Sequence, residues 1–277
     1  MIKYPLYISY CSFKNLDNMN RLNGFSSDSE DLEKQQAING ELRQALLLRD
    51  EVISITSHEM KIPITSLKIQ TQLLHSKLKS GQNLTSDDLL SLLNNFDKEL
   101  KRLQFFADSI ADSAYPEKIQ KSVTPTTFNL HDFLHSLISN LEPFIPTPNI
   151  KLKLQLEVDS SLYVTWDPLR MEQVLTNIIF NAFKFAPLSN VLVRVTKPND
   201  NITITIKDSG PGIPLEVQSL IFERFYKGHH SASSPGGVGL GLYIAKEIIL
   251  AHQRDIRVES RKNEGAKFII SLPLDLY

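Results

Sequence analysis

The amino-acid sequence predicts a two-part fold, an α plus α/β sandwich architecture: a long helical hairpin, then an α+β two-layer sandwich. Three observations carry this reading. Leu46, Ile53, Met60, Leu67 and Leu74 fall seven apart, with Ile64, Thr71 and Leu78 in the alternate seam, the pattern of a long amphipathic helix. Leu89, Leu93, Phe96, Leu100, Leu103, Ala107 and Ile110 give a second stripe at spacings of four and three. From about residue 128 the pattern changes to short segments such as Ile150, Leu152, Leu154 and Leu156 alternating with Lys151, Lys153 and Gln155, which is a half-exposed strand.

The elements follow in order. Residues 1–30 are rich in Asn, Ser and Asp without any period and read as a poorly ordered tail. Residues 31–115 form the hairpin. Pro63 interrupts the first stripe, but the stripe continues in register, so Pro63 is expected to kink the helix rather than end it. Gly81, Gln82 and Asn83 close that helix, and Thr85 or Ser86 caps the second, with Asp87 and Asp88 in its positive first turn. Two helices cannot enclose apolar stripes this long. A second copy of the chain would, giving a four-helix bundle in a homodimer. Residues 116–127 read as a linker, and 128–277 as the sandwich. In it, helices are expected over 128–141, 168–185 (Asp167 as N-cap, Pro168 first) and 240–250. Strands are expected over 150–156, 162–166, 191–195, 202–206, 256–260 and 268–272, the middle pair joined around Pro198-Asn199-Asp200.

Composition narrows the function classes. The chain has 277 residues, 30 Lys+Arg against 31 Asp+Glu and a net charge of -1, which excludes a strongly basic nucleic-acid binder. Hydrophobic residues at 42% and charged residues at 22% argue against disorder over most of the length. The single cysteine, Cys11, excludes an intramolecular disulfide and a cysteine zinc site. No run approaches the ~18 apolar residues of a membrane span, and no signal peptide is read at the start, so the expected compartment is cytoplasmic.

Four patterns that can carry chemistry lie within the sandwich. Asn177, Asn181 and Lys184 share one helix face at i, i+4 and i+7. Carboxamide oxygens suit a hard Mg²⁺ and the ammonium suits phosphate, although the same spacing also describes a solvated polar stripe. Asp208-Ser209-Gly210-Pro211-Gly212 follows a strand. Its glycines allow a sharp turn against a ligand, and its carboxylate can accept from an exocyclic amine such as adenine's, or the segment is a plain turn. Phe222-Glu223-Arg224-Phe225-Tyr226-Lys227 is a basic aromatic cluster, alone no more than a buried turn. Gly236-Gly237-Val238-Gly239-Leu240-Gly241 opens a helix whose first N–H groups can cradle an anion. Residues 228–235 between them have the composition of a mobile lid.

In this order and spacing the four patterns resemble the N box, first glycine box, F box and second glycine box of the Bergerat-type ATPases. Upstream, Ser57-His58-Glu59-Met60-Lys61-Ile62-Pro63 resembles the phospho-acceptor box of the histidine kinases of two-component systems. The resemblance covers about residues 45–277. It implies that His58 is the phosphorylated nucleophile and Glu59 its base. It implies that Asn181, helped by Asn177, holds Mg²⁺, that Lys184 and Lys227 meet phosphate, and that Asp208 reads adenine. Gly210 and Gly212 would then turn beneath the base, and Gly237, Gly239 and Gly241 would form the phosphate-side hinge. The expected activity is ATP-dependent phosphorylation of His58, then transfer to an aspartate of a response regulator. The alternative is a catalytically impaired sensor or scaffold that keeps the fold; a topoisomerase-type clamp is disfavoured by the acceptor hairpin.

Four departures from the family pattern stand out. Lys227 replaces the usual Arg and lacks its planar fork. His252-Gln253-Arg254 replaces His-Gly-Gly and Gly265-Ala266 replaces Gly-Thr, both expected to cost little. Ile62 stands four residues after His58, where Thr or Asn is common, which puts the phosphatase activity of the family in doubt.

Overall fold

The structure is a computed structural model that describes residues 27–81, 85–114, 117, 119, 123–145, 150–227 and 238–275. The chain divides into two compact units, Met1–Glu51 and Val52–Tyr277. The described part of the first unit is helical.

Helix α1 spans Ser27–Lys79 and passes through Pro63 without a break. It begins four residues ahead of its expected start. Residues 1–26 of the expected tail, and Gln82 and Asn83 of the expected helix stop, lie outside the described residues. Helix α2 spans Ser86–Ala114. Its start is a reciprocal cap: Thr85 Oγ1 accepts from the Asp88 N–H at 3.1 Å, and Asp88 Oδ2 accepts from the Thr85 N–H at 3.1 Å. Two donors left over at a helix start are thereby satisfied. The Thr85 hydroxyl, donating to Asp88 Oδ2 at 2.7 Å, and then the Thr85 N–H hold the Asp88 carboxyl below its ordinary pKa.

The sandwich begins earlier than its sequence suggests. Strand β1, Thr126–Asn129, lies partly inside the expected linker, and Ile119 within that linker is fully buried in the core. Helix α3 spans Leu130–Leu141, with Asn129 accepting from the Asp132 N–H as its cap. Strands β2 (Leu152–Glu157) and β3 (Tyr163–Trp166) follow, then helix α4, Pro168–Phe185. Asp167 caps α4 as expected, Oδ1 accepting from the Arg170 N–H at 3.0 Å. Strands β4 (Val191–Thr196) and β5 (Asn201–Lys207) form a hairpin whose turn holds Asn199 at φ 59°. Helix α5 spans Gly241–Ala251, and strands β6 (Ile256–Ser260) and β7 (Ala266–Pro273) complete the fold.

The main sheet is mixed, in the order β2-β4-β5-β7-β6, with β2 parallel to β4 and every other pair antiparallel. β1 and β3 make a separate two-stranded ribbon. The alternation in β5 turns Ile202, Ile204 and Ile206 to the buried face. Helices α3, α4 and α5 cover that face with Leu130, Leu134, Leu137, Leu175, Ile178, Ile179, Ile244 and Ile248, all at most 2% exposed. Trp166 seals one end, donating its indole N–H to the Pro273 carbonyl at 2.7 Å. This one-sided burial fixes α4 and α5 side by side over the sheet. It leaves the carboxyl end of β5 and the start of α5 to line a common site.

Candidate nucleotide and phospho-acceptor site

Helix α4 supplies the first group. Asn177 is 3% exposed, and its Nδ2 has no partner. Its Oδ1 lies against the start of α5, so close that a Cβ built on Gly241 would come within 3.0 Å of it. A side chain at Gly241 would have to push the Asn177 carboxamide aside by a few tenths of an ångström. Asn181 and Lys184 follow on the same face, both half-buried. Burial lowers the Lys184 pKa first; the Glu59 carboxylate pulls it back up, and repulsion from Lys227 lowers it again. Lys184 is therefore within electrostatic reach of both Lys227 and the hairpin acid Glu59.

Strand β5 delivers Asp208, which is 7% exposed. Its Oδ1 accepts from the Gly210 N–H at 2.8 Å and from the Ala266 N–H at 3.3 Å. Burial pushes its pKa up, and these backbone donors oppose the shift without cancelling it. Gly212 has φ 73° and sits on the Arg261 carbonyl with no room for a side chain. Ser189 Oγ accepts from the Ser209 N–H at 2.7 Å and steadies the turn. Gly265 lies directly against the Asp208 carbonyl, and Ala266 donates to the acid itself. Ser189 and Ala266 were missed as site residues because they act through an Oγ or a backbone N–H that no spacing marks.

The aromatic cluster turns out to be the anchor of the second glycine segment. Phe222 is buried edge-on against Phe268, the Phe225 N–H donates to the Gly239 carbonyl at 3.0 Å, and Gly239 has φ 75°. A Cβ on Gly239 would meet the Tyr226 carbonyl at 2.6 Å. The Tyr226 hydroxyl is buried without a partner, a second orphaned polar atom beside that of Asn177. Such atoms inside a folded protein point to a ligand or water that completes them. Helix α5 begins without any side-chain cap. Gly236 and Gly237, and the expected lid over 228–235, lie outside the described residues.

On α1, His58 is 74% exposed and Glu59 only 10%. His58 Nδ1 and Glu59 Oε1 are 3.8 Å apart, too far for a hydrogen bond but near enough for a small rotation to make one. An open groove of about 600 Å³ runs along α1 beside them, lined by His58, Lys61, Ile62, Thr65, Ser66, Ile69 and Gln70. Ile62 stands in that groove at 42% exposure.

Residues 166–276 match the family model of the histidine kinase-, DNA gyrase B- and HSP90-like ATPases. Over 251 residues the chain is 29% identical to the sensor protein GacS of Pseudomonas syringae, and over 233 residues 28% identical to the sensor histidine kinase RcsC of Escherichia coli. These alignments take in 88% and 83% of the chain. The chain is homologous to the sensor histidine kinases. It spans about a quarter of the length of these relatives, 26% and 24%. The solved structure of histidine kinase ThkA in complex with the response regulator protein TrrA has the same fold, with a TM-score of 0.52, 24% identity, and coverage of 92% of this chain and 69% of that one. The match to this ATPase family begins at Trp166, one residue before the cap of α4.

Proposed function

We propose that this chain is the core of a histidine protein kinase that phosphorylates His58 from ATP and passes the phosphoryl group to an aspartate of a response regulator. The observation that carries the reading is the buried Asn177 with its unpartnered Nδ2 on α4, in a segment similar to the ATPase family and downstream of the His58–Glu59 pair on α1. In the step itself, an imidazole nitrogen of His58 forms a bond to the γ-phosphorus, the bond from phosphorus to the bridging oxygen breaks, and ADP leaves. Glu59 takes the imidazole proton. Lys184 and Lys227 offset charge on the phosphates, and Asp208 accepts from the exocyclic amine of adenine.

The residues fit a metal ion as well. Among the described residues no cluster of three His, Cys, Asp or Glu exists, so a hard cation would rest on carboxamide oxygens of Asn181 and Asn177 together with phosphate oxygens. Mg²⁺ held there would neutralise phosphate charge. Gly210 and Gly212 bring the backbone under the base, and Gly237, Gly239 and Gly241 serve the phosphate side.

The working unit is the hairpin of α1 and α2, which ends at Ala114, and an ATPase domain that takes in Ile119 and strand β1 from Thr126. We read the active form as a homodimer. Ile53, Ile64 and Leu78 on α1, and Leu89, Leu93 and Leu100 on α2, are all 43–60% exposed in the single chain. A second hairpin would cover these stripes in a four-helix bundle. The regulator would dock on the groove beside His58. Among the described residues no helix is long and apolar enough to cross a membrane, and the need for ATP places the activity in the cytoplasm.

Incubation with γ-labelled ATP tests the reading. Acid-labile, base-stable label on His58 is expected. His58→Gln should abolish it while ATP affinity stays near wild type, and Asn181→Ala should lose Mg²⁺-dependent nucleotide binding. Label that persists in His58→Gln at another residue defeats the assignment.

A further inference from the structure

Helix α3 carries a pair of side chains that neither the fold nor the proposed phosphoryl transfer uses. Its buried row, Leu130, Leu134, Leu137 and Leu141, is at most 5% exposed and anchors the helix on the sheet. Its start is fixed as well: Asn129 Oδ1 accepts from the Asp132 N–H at 3.0 Å, and the Leu130 N–H donates to the Leu162 carbonyl at 3.0 Å. Outside the buried row stand His131, half-buried, and His135, exposed. Four residues apart, they are neighbours on one side of the helix. Their ring centres are 4.5 Å apart and their planes are inclined at 41°. Among the described residues neither ring makes a hydrogen bond or an ion pair; each has only the other ring. His252 differs, being fully buried with its Nδ1 2.8 Å from the Ile248 carbonyl, so packing accounts for it. Packing does not account for two unpartnered imidazoles held side by side at the surface.

Two imidazoles on successive turns of one helix can chelate a metal ion. A metal–nitrogen bond of about 2.0–2.1 Å, with the ring centre about 1.2 Å behind the nitrogen, puts each centre about 3.2 Å from a shared ion. The two centres are then about 4.5 Å apart at a right angle and about 5.2 Å apart at the tetrahedral angle. The observed 4.5 Å matches the right-angled case, which is the geometry of tetragonal Cu²⁺ and Ni²⁺. Tetrahedral Zn²⁺ needs the rings to part by about 0.7 Å, a small side-chain rotation where nothing else holds them. Among the described residues no third His, Cys, Asp or Glu completes the set, so water fills the remaining positions. The hard Mg²⁺ read for Asn181 and Asn177 takes oxygen donors and does not compete for this pair.

We propose that His131 and His135 form a metal site on α3, a two-histidine chelate for a divalent Cu²⁺, Ni²⁺ or Zn²⁺ ion that staples the first turn of the helix to the second. The site lies on a different helix from the asparagine face and stands or falls independently of the kinase reading.

Calorimetric titration of the full chain with Ni²⁺, and separately with Zn²⁺, in the absence of nucleotide tests the site. A resolved step of one ion per chain is expected, and excess Mg²⁺ should leave it in place. His131→Gln and His135→Gln each put a good helix former on α3. Each should weaken that step by about tenfold or more, because one imidazole lacks the gain that a second, tethered one supplies. All other histidines remain in these variants, so the affinity lost belongs to this pair. Saturating Ni²⁺ should raise the wild-type Tm by a few degrees and leave that of either variant nearly unmoved. Should His131→Gln lose stability without metal, His135→Gln, at the exposed position, decides alone. A wild type with no resolved step, a step that excess Mg²⁺ displaces, or a His135→Gln chain that binds Ni²⁺ as tightly as wild type overturns the proposal.

Discussion

Asp208→Asn should separate nucleotide recognition from stability, and in opposite directions. The substitution is isosteric, so Oδ1 still accepts from the Gly210 and Ala266 N–H groups at 2.8 and 3.3 Å. The new Nδ2 stands where Oδ2 would accept from the exocyclic amine of adenine, and two donors then face each other. Loss of a hydrogen bond to a charged group costs about 1.5–3 kcal/mol, and the facing donors add to it. About 3 kcal/mol in all corresponds to a roughly 100-fold weaker Kd for ATP. Inosine triphosphate, with a carbonyl in place of the amine, accepts from Nδ2, so the preference for ATP over it should shrink or reverse. The stability effect follows from the raised pKa of Asp208, caused by burial. The folded state favours the protonated acid, so the cost of ionisation is absent below the unfolded pKa and complete above the folded one. The nucleotide-free variant should therefore match or exceed the wild-type Tm at neutral pH, and that advantage should vanish as pH falls through the raised pKa. Wild-type ATP affinity should fall over the same interval, at higher pH than for an ordinary carboxylate. Calorimetric titration with both nucleotides and thermal melts across pH measure all of this. Unchanged ATP affinity with an unchanged nucleotide preference refutes the role of Asp208, and a clearly lower Tm at neutral pH refutes the burial argument.

Two further outcomes are expected. Gln253 holds φ 57° at the end of α5, its N–H bonding to Leu250 and that of Arg254 to Ile249. Gln253→Gly removes a left-handed penalty of about 1–2 kcal/mol and adds about 0.5–1 kcal/mol of chain entropy, so a gain of roughly 0.5–1 kcal/mol should appear as a Tm higher by about 2 °C; a lower Tm would contradict this account of the helix end. Ile62→Thr places a hydroxyl in the groove beside His58, where Ile62 is 42% exposed and little burial is lost. Dephosphorylation of the regulator should rise with autophosphorylation nearly constant, and robust phosphatase activity in the unmodified protein would defeat that expectation.

The most legible elements were those whose signal is local. Asp167 followed by Pro168 marks a helix start through one side-chain acceptor and one fixed φ, and α4 runs over Pro168–Phe185 as that signal implies. Ile202, Ile204 and Ile206 alternate because a strand with one buried face requires it, and β5 keeps that register. Thr85 and Asp88 close their own cap within four residues. Strand β1 escaped notice because Thr126 to Asn129 holds only one large apolar residue, Phe128, and gains its place by pairing with β3 some 40 residues on. The left-handed angle of Gln253 and the Ala266 N–H bond to Asp208 are hidden in the sequence for a related reason: both are backbone features, which a side-chain pattern does not reveal.

The sequence by itself determined the two helical stripes, the order of the sandwich elements and the residue types at the site, because periodicity, capping and glycine placement are properties of neighbours along the chain. Only the tertiary structure decided what those residues meet. Asn177 lies against Gly241, and Asp208 takes the Ala266 N–H, across 64 and 58 residues of chain. Lys184 feels a carboxylate from the hairpin, and Asp112 bonds to Arg170 and Gln173. Such pairings form when the apolar faces of α3, α4 and α5 close over one face of the sheet. The depth of burial and the distance between charges, which set the pKa shifts at the site, exist only once that layer is packed.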